Sequence, residues 1–302
     1  MILPGPSSIE LGKKIADTLN IDIVDVEYKI FSDGESKIQI NSDVSNKNII
    51  LIQSTYPPVD QHIIQTLLIS RQLDKLDAKT FLVSPYFGYS RQDKEFLNGE
   101  IISSKIISEL FEFVGINEFM TVDIHSKLCL EYFNIPKYNI SAIPILADYI
   151  KNSISIDKIK NDIIVVSPDL GGSDRVTDFS KLLGTENIVL DKHRDRTTGE
   201  LTINSKEIEL ENKTVIILDD MISTGGTIIK TSELLSKLGV NEIIAMCTHA
   251  ILLDDSQKRI EESGVKRIIS TNSIPNNITN IDITSIIVNE IKKSKWLIEL
   301  NR

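Results

Sequence analysis

The stretch from Thr214 to Thr227, TVIILDDMISTGGT, constrains this chain more than any other. Its apolar, mostly β-branched opening, Thr214 to Leu218, predicts a short buried strand of the kind found in parallel sheets. Two carboxylates, Asp219 and Asp220, follow at the expected C-terminal end of that strand. Then come Ser223, Thr224, Gly225, Gly226 and Thr227, and after them IIKTSELLSKLG, which has the spacing of a helix. A loop rich in Gly, Ser and Thr lets backbone N–H groups and hydroxyls converge on one small anion. The N-terminus of the next helix adds its orphan donors and partial positive charge. Adjacent carboxylates can accept from vicinal hydroxyls, so the combination predicts a sugar-phosphate site. The plainer alternative is an acidic strand end followed by a generic glycine turn.

The chain of 302 residues is long for one core and comfortable for two. A formal net charge of −10 argues against nucleic acid or an anionic membrane as partner. An acidic protein that handles polyphosphates must concentrate its cations locally or use metal ions. The two cysteines, Cys129 and Cys247, sit in apolar surroundings and read as reduced core thiols of a cytoplasmic protein. MILPGPSSIE lacks the basic region and apolar run of a signal peptide, and no apolar stretch approaches the ~20 residues of a membrane span.

Taken in order, Ser7 or Ser8 with Glu10 nearby predicts a capped first helix, IELGKKIADTLN. Tyr28 to Ile40 alternates on both sides of an Asp-Gly step and predicts a hairpin. Phe31 beside Asp33 and Glu35 offers an aromatic face and two acceptors for a purine, or is simply a hairpin tip. Asn48 to Ile52 and Phe81 to Ser84 predict buried strands. After the second runs a long polar loop, YFGYSRQDKEFLNGE, that carries Arg91, Gln92, Asp93 and Lys94. A further strand, EFMTVDIH, ends in Asp123 and His125, and ligands of parallel sheets collect beyond that edge. The helical and strand rhythm lapses from Pro136 to Pro144. This predicts one domain over 1–143 and another over 144–302, with the closing helix 285–302 able to pack back on the first.

In the second half, the strand DIIVVSPD is followed by LGGSDRVTDFSKLLG. Asp169 at its end could hold a metal, and Gly171 and Gly172 could offer N–H donors to pyrophosphate, although a strand-to-helix glycine turn has the same composition. Lys192, His193, Arg194 and Arg196 are the densest basic cluster in an acidic chain. Trp296, on an apolar helical face, reads as a packing residue.

Taken together, these motifs resemble those of the ribose-phosphate pyrophosphokinases, and the resemblance runs through five motifs in order over essentially the full length. F-S-D-G-E at Phe31, Asp33, Gly34 and Glu35 resembles the family's adenine loop, which reaches into a neighbouring subunit. R-Q-D at Arg91, Gln92 and Asp93 resembles its second ATP contact, with Lys94 where many members carry another Arg. Asp169, Gly171, Gly172 and Arg175 fit the pattern S-P-D-x-G-G-x-x-R. Lys192 and Arg194 fall on the two positions of its mobile catalytic loop, with His193 between them in place of a basic residue. Ser223 stands where many bacterial members carry an acid, which is similar to the archaeal branch.

The resemblance implies an α/β fold of two duplicated type I phosphoribosyltransferase-like domains, each a mainly parallel sheet flanked by helices. It implies transfer of the β,γ-diphosphoryl group of ATP to ribose 5-phosphate, with Mg2+ as cofactor and a homo-oligomer, dimer or larger. Lys192 and Arg194 would be catalytic. Phe31, Asp33, Gly34, Glu35, Arg91, Gln92 and Asp93 would bind ATP. Arg194, Asp219, Asp220 and Ser223 to Thr227 would bind ribose 5-phosphate, with Asp169, Gly171 and Gly172 on pyrophosphate and His125 and Asp169 on metal. A phosphoribosyltransferase or a non-catalytic regulatory subunit are the alternatives. The order of parts also suggests an internal duplication. It pairs the loops at Gln53, 86–94 and 123–126 with those at Ser167, 192–196 and 219–227.

Overall fold

The computed structural model describes residues 1–190, 193–194, 201–202, 210–294 and 296. The chain forms two compact units. One comprises Met1–Ile140, Ser273–Pro275 and the chain from Ile283, and the other comprises Ser141–Asn272 and Asn276–Asp282.

The first unit contains, in order, β1 (Ile2–Pro4), α1 (Ile9–Leu19), β2 (Val26–Ile30), β3 (Ser36–Ile40), β4 (Asn48–Ile52), α2 (Val59–Lys75), β5 (Lys79–Val83), α3 (Ser103–Phe113), β6 (Ile116–Val122), α4 (Leu128–Glu131) and β7 (Lys137–Ile140). Its parallel sheet has the order β1-β4-β5-β6-β7. The neighbouring middle strands β4 and β5 carry apolar runs, IILI and FLV, whose every position is buried, as in a parallel sheet covered on both faces. The segment 137–140, where the sequence rhythm lapses, is the edge strand β7. Two further expectations are corrected. Ser7 and Ser8 do not cap α1, whose first turn has no side-chain cap. Their hydroxyls bond instead to the backbone of Ser54 at the end of β4. The loop after β5 is not polar throughout, since Phe87 is buried among Phe111, Phe119 and Phe133.

The second unit contains α5 (Ile143–Ser153), α6 (Ile156–Asp162), β8 (Ile163–Ser167), α7 (Ser173–Leu183), β9 (Glu186–Val189), β10 (His193–Arg194), β11 (Leu201–Thr202), β12 (Thr214–Ile222), α8 (Gly226–Lys237), β13 (Glu242–Ala250), α9 (Ser256–Glu262), β14 (Val265–Thr271) and β15 (Thr279–Ile281). Its parallel sheet has the order β15-β14-β13-β12-β8-β9, and β10 and β11 form a separate antiparallel pair. The last helix, α10 (Thr284–Lys293), returns to the first unit against α1 and β7. Beyond it Trp296 is buried with its ring 5.7 Å from that of Phe81.

The two sheets repeat one topology. β1, β4, β5, β6 and β7 follow the same neighbour order as β8, β12, β13, β14 and β15. The hairpin β2–β3 occupies the chain position of β10–β11, and Ile23 bridges Ile2 in parallel as β9 pairs β8. This overturns the expected pairing of loops. Asn48 lies opposite Lys79 as Thr214 lies opposite Glu242. Counting on from there, Gln53 and Ser54 occupy the places of Asp219 and Asp220. The earlier pairing matched β4 to β8 because Ile-rich strands look alike; the sheet order separates them.

Candidate active site

The acid pair lies inside a strand rather than after one. β12 continues to Ile222 because β13 runs beside it, with Asp219 opposite Cys247 and Ile222 opposite Ala250. On the other side its ladder with β8 stops at Ile217 and Val166. The carboxylates therefore stand where one neighbouring strand has ended. Arg175, the third residue of α7, reaches them there. Its Nη1 lies 3.5 Å from Asp219 Oδ1 and its Nη2 lies 3.5 Å from Asp220 Oδ1. Only 20% of the Asp219 side chain and 4% of the Asp220 side chain are exposed. Burial, and then the negative charge of Asp220, hold the Asp219 carboxyl well above the usual carboxylate range, with Arg175 pulling the other way. Burial, followed by the same two acids, also pushes the Cys247 thiol up.

The Gly-rich loop is built on its own backbone. Gly225 takes φ +75°, and a methyl there would come within 2.7 Å of Ile260 Cδ1, so both conformation and space demand glycine. α8 begins at Gly226, and no side chain caps its first turn. Its first N–H groups are thus available to an anion. The carbonyl of Ser223 accepts from Leu253 N at 3.2 Å, and that of Thr224 accepts from Arg259 Nη2 at 3.1 Å.

After β8, Asp169 is extended and a single 3-10 turn, Leu170–Gly172, leads into α7. Ser167 Oγ donates to the Asp169 carbonyl at 2.6 Å. A methyl on Gly172 would overlap Ser167 Oγ, whereas one on Gly171 would meet only the end of the Asp169 side chain, at 3.3 Å.

In the first unit, the tip between β2 and β3 is a five-residue loop, 31–35. It is closed by Phe31 N to Glu35 O at 2.9 Å and by Asp33 Oδ1 accepting from Glu35 N at 3.1 Å. Phe31 is 41% exposed, and Lys29 Nζ lies 5.0 Å from its ring centroid. Two open depressions share Asp60 and Gln61 at the start of α2. One, of about 410 Å3, is lined by Gly34 and Glu35, and the other, of about 560 Å3, by Tyr89, Arg91 and Gln92. Gln92 Oε1 accepts from Ser103 Oγ at 2.6 Å. Asp93 is buried, and its Oδ2 accepts from Ser126 Oγ at 2.5 Å, which ties the loop to the residue after His125. Asp123 stands just past β6 with φ +38°, and His125 is exposed beyond it.

Lys192 lies outside the described residues, and Arg194 falls on β10. Among the described residues no three metal-ligating side chains cluster. Sequence reasoning gave Arg175 no role and missed Arg259 and Asp60. Arg175 was visible only as the last letter of a pattern, and Arg259 sits in an ordinary charged helix, SQKRIEE, that offers no signal.

Residues 1–115 match the family described as the N-terminal domain of ribose phosphate pyrophosphokinase, and residues 131–284 match the phosphoribosyl transferase domain family. A ribose-phosphate pyrophosphokinase of Saccharolobus solfataricus is 35% identical over 96% of this chain and 98% of its own length. One from Methanothermobacter thermautotrophicus is 31% identical over 97% of this chain and all of its own length (100%). The crystal structure of phosphoribosylpyrophosphate synthetase from Mycobacterium smegmatis superimposes with a TM-score of 0.86 at 26% identity, covering 97% of each chain.

Proposed function

The chain belongs to the ribose-phosphate pyrophosphokinase family, and from that premise we propose how its residues perform transfer of the β,γ-diphosphoryl group of ATP to the anomeric hydroxyl of ribose 5-phosphate, giving PRPP and AMP. The observation that carries the reading is the uncapped N-terminus of α8, which follows within a few residues of an acid pair, Asp220 buried and Asp219 one-fifth exposed. The N–H groups and hydroxyls of Ser223, Thr224, Gly225, Gly226 and Thr227 take the 5-phosphate. Asp219 and Asp220 take the ribose hydroxyls, and Arg175 splits its charge between them. That leaves one acid able to stay protonated and the other ionised, so the pair both donates to and accepts from a diol.

Asp169, Gly171 and Gly172 receive the diphosphoryl group. Phe31, Asp33, Gly34, Glu35, Arg91 and Gln92 hold the nucleotide, and Asp93 supports them by pinning the loop to Ser126. Phosphoryl transfer asks the protein for in-line positioning and for charge stabilisation on equatorial oxygens, so no side chain need act as nucleophile. Lys192 and Arg194 supply that charge.

Asp169 offers Mg2+ a carboxylate oxygen, whereas the His125 nitrogen is an unusual donor for so hard a cation and keeps a softer divalent metal as the rival. A hard cation that arrives on ATP keeps phosphate and water oxygens and needs few protein ligands. When bound, it neutralises charge on the transferred group. The exposed Phe31 tip fits a homo-oligomer in which neighbours complete each other's nucleotide site. The two free thiols fit a reducing, cytoplasmic compartment. Incubation with ATP, Mg2+ and ribose 5-phosphate should release AMP. Release of ADP instead, or no nucleotide product, would overturn the assignment.

A further inference from the structure

Two consecutive residues of α9 form the back wall of the Gly-rich loop. Ile260 fills the space behind Gly225, and Arg259 donates to the Thr224 carbonyl. Arg259 is itself fixed by Asp255, whose Oδ1 accepts from Nε at 2.8 Å. With 45% and 65% of these side chains exposed, the ion pair adds little stability, so its consequence is geometric.

In a trans peptide the carbonyl of one residue and the N–H of the next point in opposite directions. Leu253 N holds the Ser223 carbonyl, and Arg259 holds the Thr224 carbonyl. The N–H groups of Thr224 and Gly225 are therefore turned away from those two partners. With Gly225 in the left-handed region, successive N–H groups can converge as an anion-binding nest. A cationic donor on the carbonyl also polarises its peptide and strengthens the opposite N–H.

We propose that Arg259 is a positioning residue of this loop: by holding the Thr224 carbonyl from behind, it aims the Gly225 N–H at the phosphate ester and so sets affinity for the phosphorylated sugar, leaving nucleotide binding and turnover unaffected. The proposal rests on the reading of Ser223 to Thr227 as the 5-phosphate site.

The test compares full-length wild type, Arg259→Ala, Arg259→Lys and Thr227→Ala. The readouts are ribose 5-phosphate affinity by calorimetry, KM for each substrate, kcat and thermal midpoint. Arg259→Ala should weaken ribose 5-phosphate about 10-fold, the scale of one charge-assisted hydrogen bond, with ATP KM and kcat held within about twofold. Arg259→Lys keeps the charge but cannot span Asp255 and Thr224, so it should fold normally and lose most of the same affinity. Should Arg259→Ala fail to fold, the Lys variant decides. Normal sugar affinity in a folded Arg259 variant, with Thr227→Ala impaired, overturns the proposal alone. Equal losses for both substrates, or in kcat, overturn it in favour of a general structural role. Normal affinity in all variants overturns the site reading and the proposal with it.

Discussion

Asp219 combines burial, a like charge and a partial counter-charge, and its effect on stability has a definite sign. Its carboxyl in the folded chain holds its proton to higher pH than in the unfolded chain. As pH rises above the ordinary carboxylate range, the unfolded state releases that proton first, so folding loses stability until the raised value is passed. Asp219→Asn keeps an acceptor for Asp220 N, now at 2.9 Å, and removes the titration. The thermal midpoint of this variant should gain on wild type as pH goes from about 5 to about 9. A variant midpoint that keeps pace with wild type, or falls further behind it, across this range would show that Asp219 ionises normally. Gly172 gives a steric counterpart. Gly172→Ala pushes a methyl into Ser167 Oγ and should cost about 1–3 kcal/mol, measured by denaturant unfolding, while Gly171→Ala should be nearly neutral. The acids and glycines stand out in the sequence because their residue types and spacing suggest a sugar-phosphate site. Arg175 does not, because its importance lies in a through-space reach across the end of β8.

At the level of elements, tertiary partners override local rules at several of the positions singled out above. Asp is a poor strand residue, which is why the sequence suggests that β12 stops at Leu218. The ladder with β13 supplies partners through Ile222 and overrides that preference. Ser7 and Ser8 similarly look like caps, but the end of β4 competes for their hydroxyls and wins. The β2–β3 hairpin was legible, since alternation around Asp33-Gly34 is a local signal that Gly34 honours with φ +93°. Its exposed tip permits a clean functional test. Phe31→Ala removes a ring that meets Lys29 but lies outside the first unit's apolar core, so the thermal midpoint should move by less than about 2 °C. Loss of an aromatic platform for a purine should raise the KM for ATP about 10-fold without changing that for ribose 5-phosphate. An unchanged ATP KM would remove the hairpin from the nucleotide site.

For the molecule as a whole, duplication of one topology raises the question of how many sugar phosphates a chain can hold. The sheet order, hidden from sequence by the sameness of Ile-rich strands, places Gln53-Ser54 where the second unit has Asp219-Asp220. Gln53 is fully buried. Its Oε1 accepts from Ser7 N at 3.1 Å and its Nε2 donates to His62 O at 3.4 Å. Ser54 Oγ donates to Ser273 O and accepts from Tyr86 N, both at 2.8 Å. The positions that would meet ribose hydroxyls are thus consumed by the unit's own polar groups. The loop that follows ends in Pro57 and Pro58, which have no N–H to offer a phosphate before α2. Neither half of the cradle survives in the first unit, so calorimetric titration should find one ribose 5-phosphate per chain. Replacing Gln53 and Ser54 together by Asp should not add a second site. It would leave carboxylates buried without a cation in the place of Arg175, and should destabilise the first unit by several kcal/mol, on the order of 3–5. Two sugars bound per wild-type chain would mean that the prolines and the buried network do not close the first site.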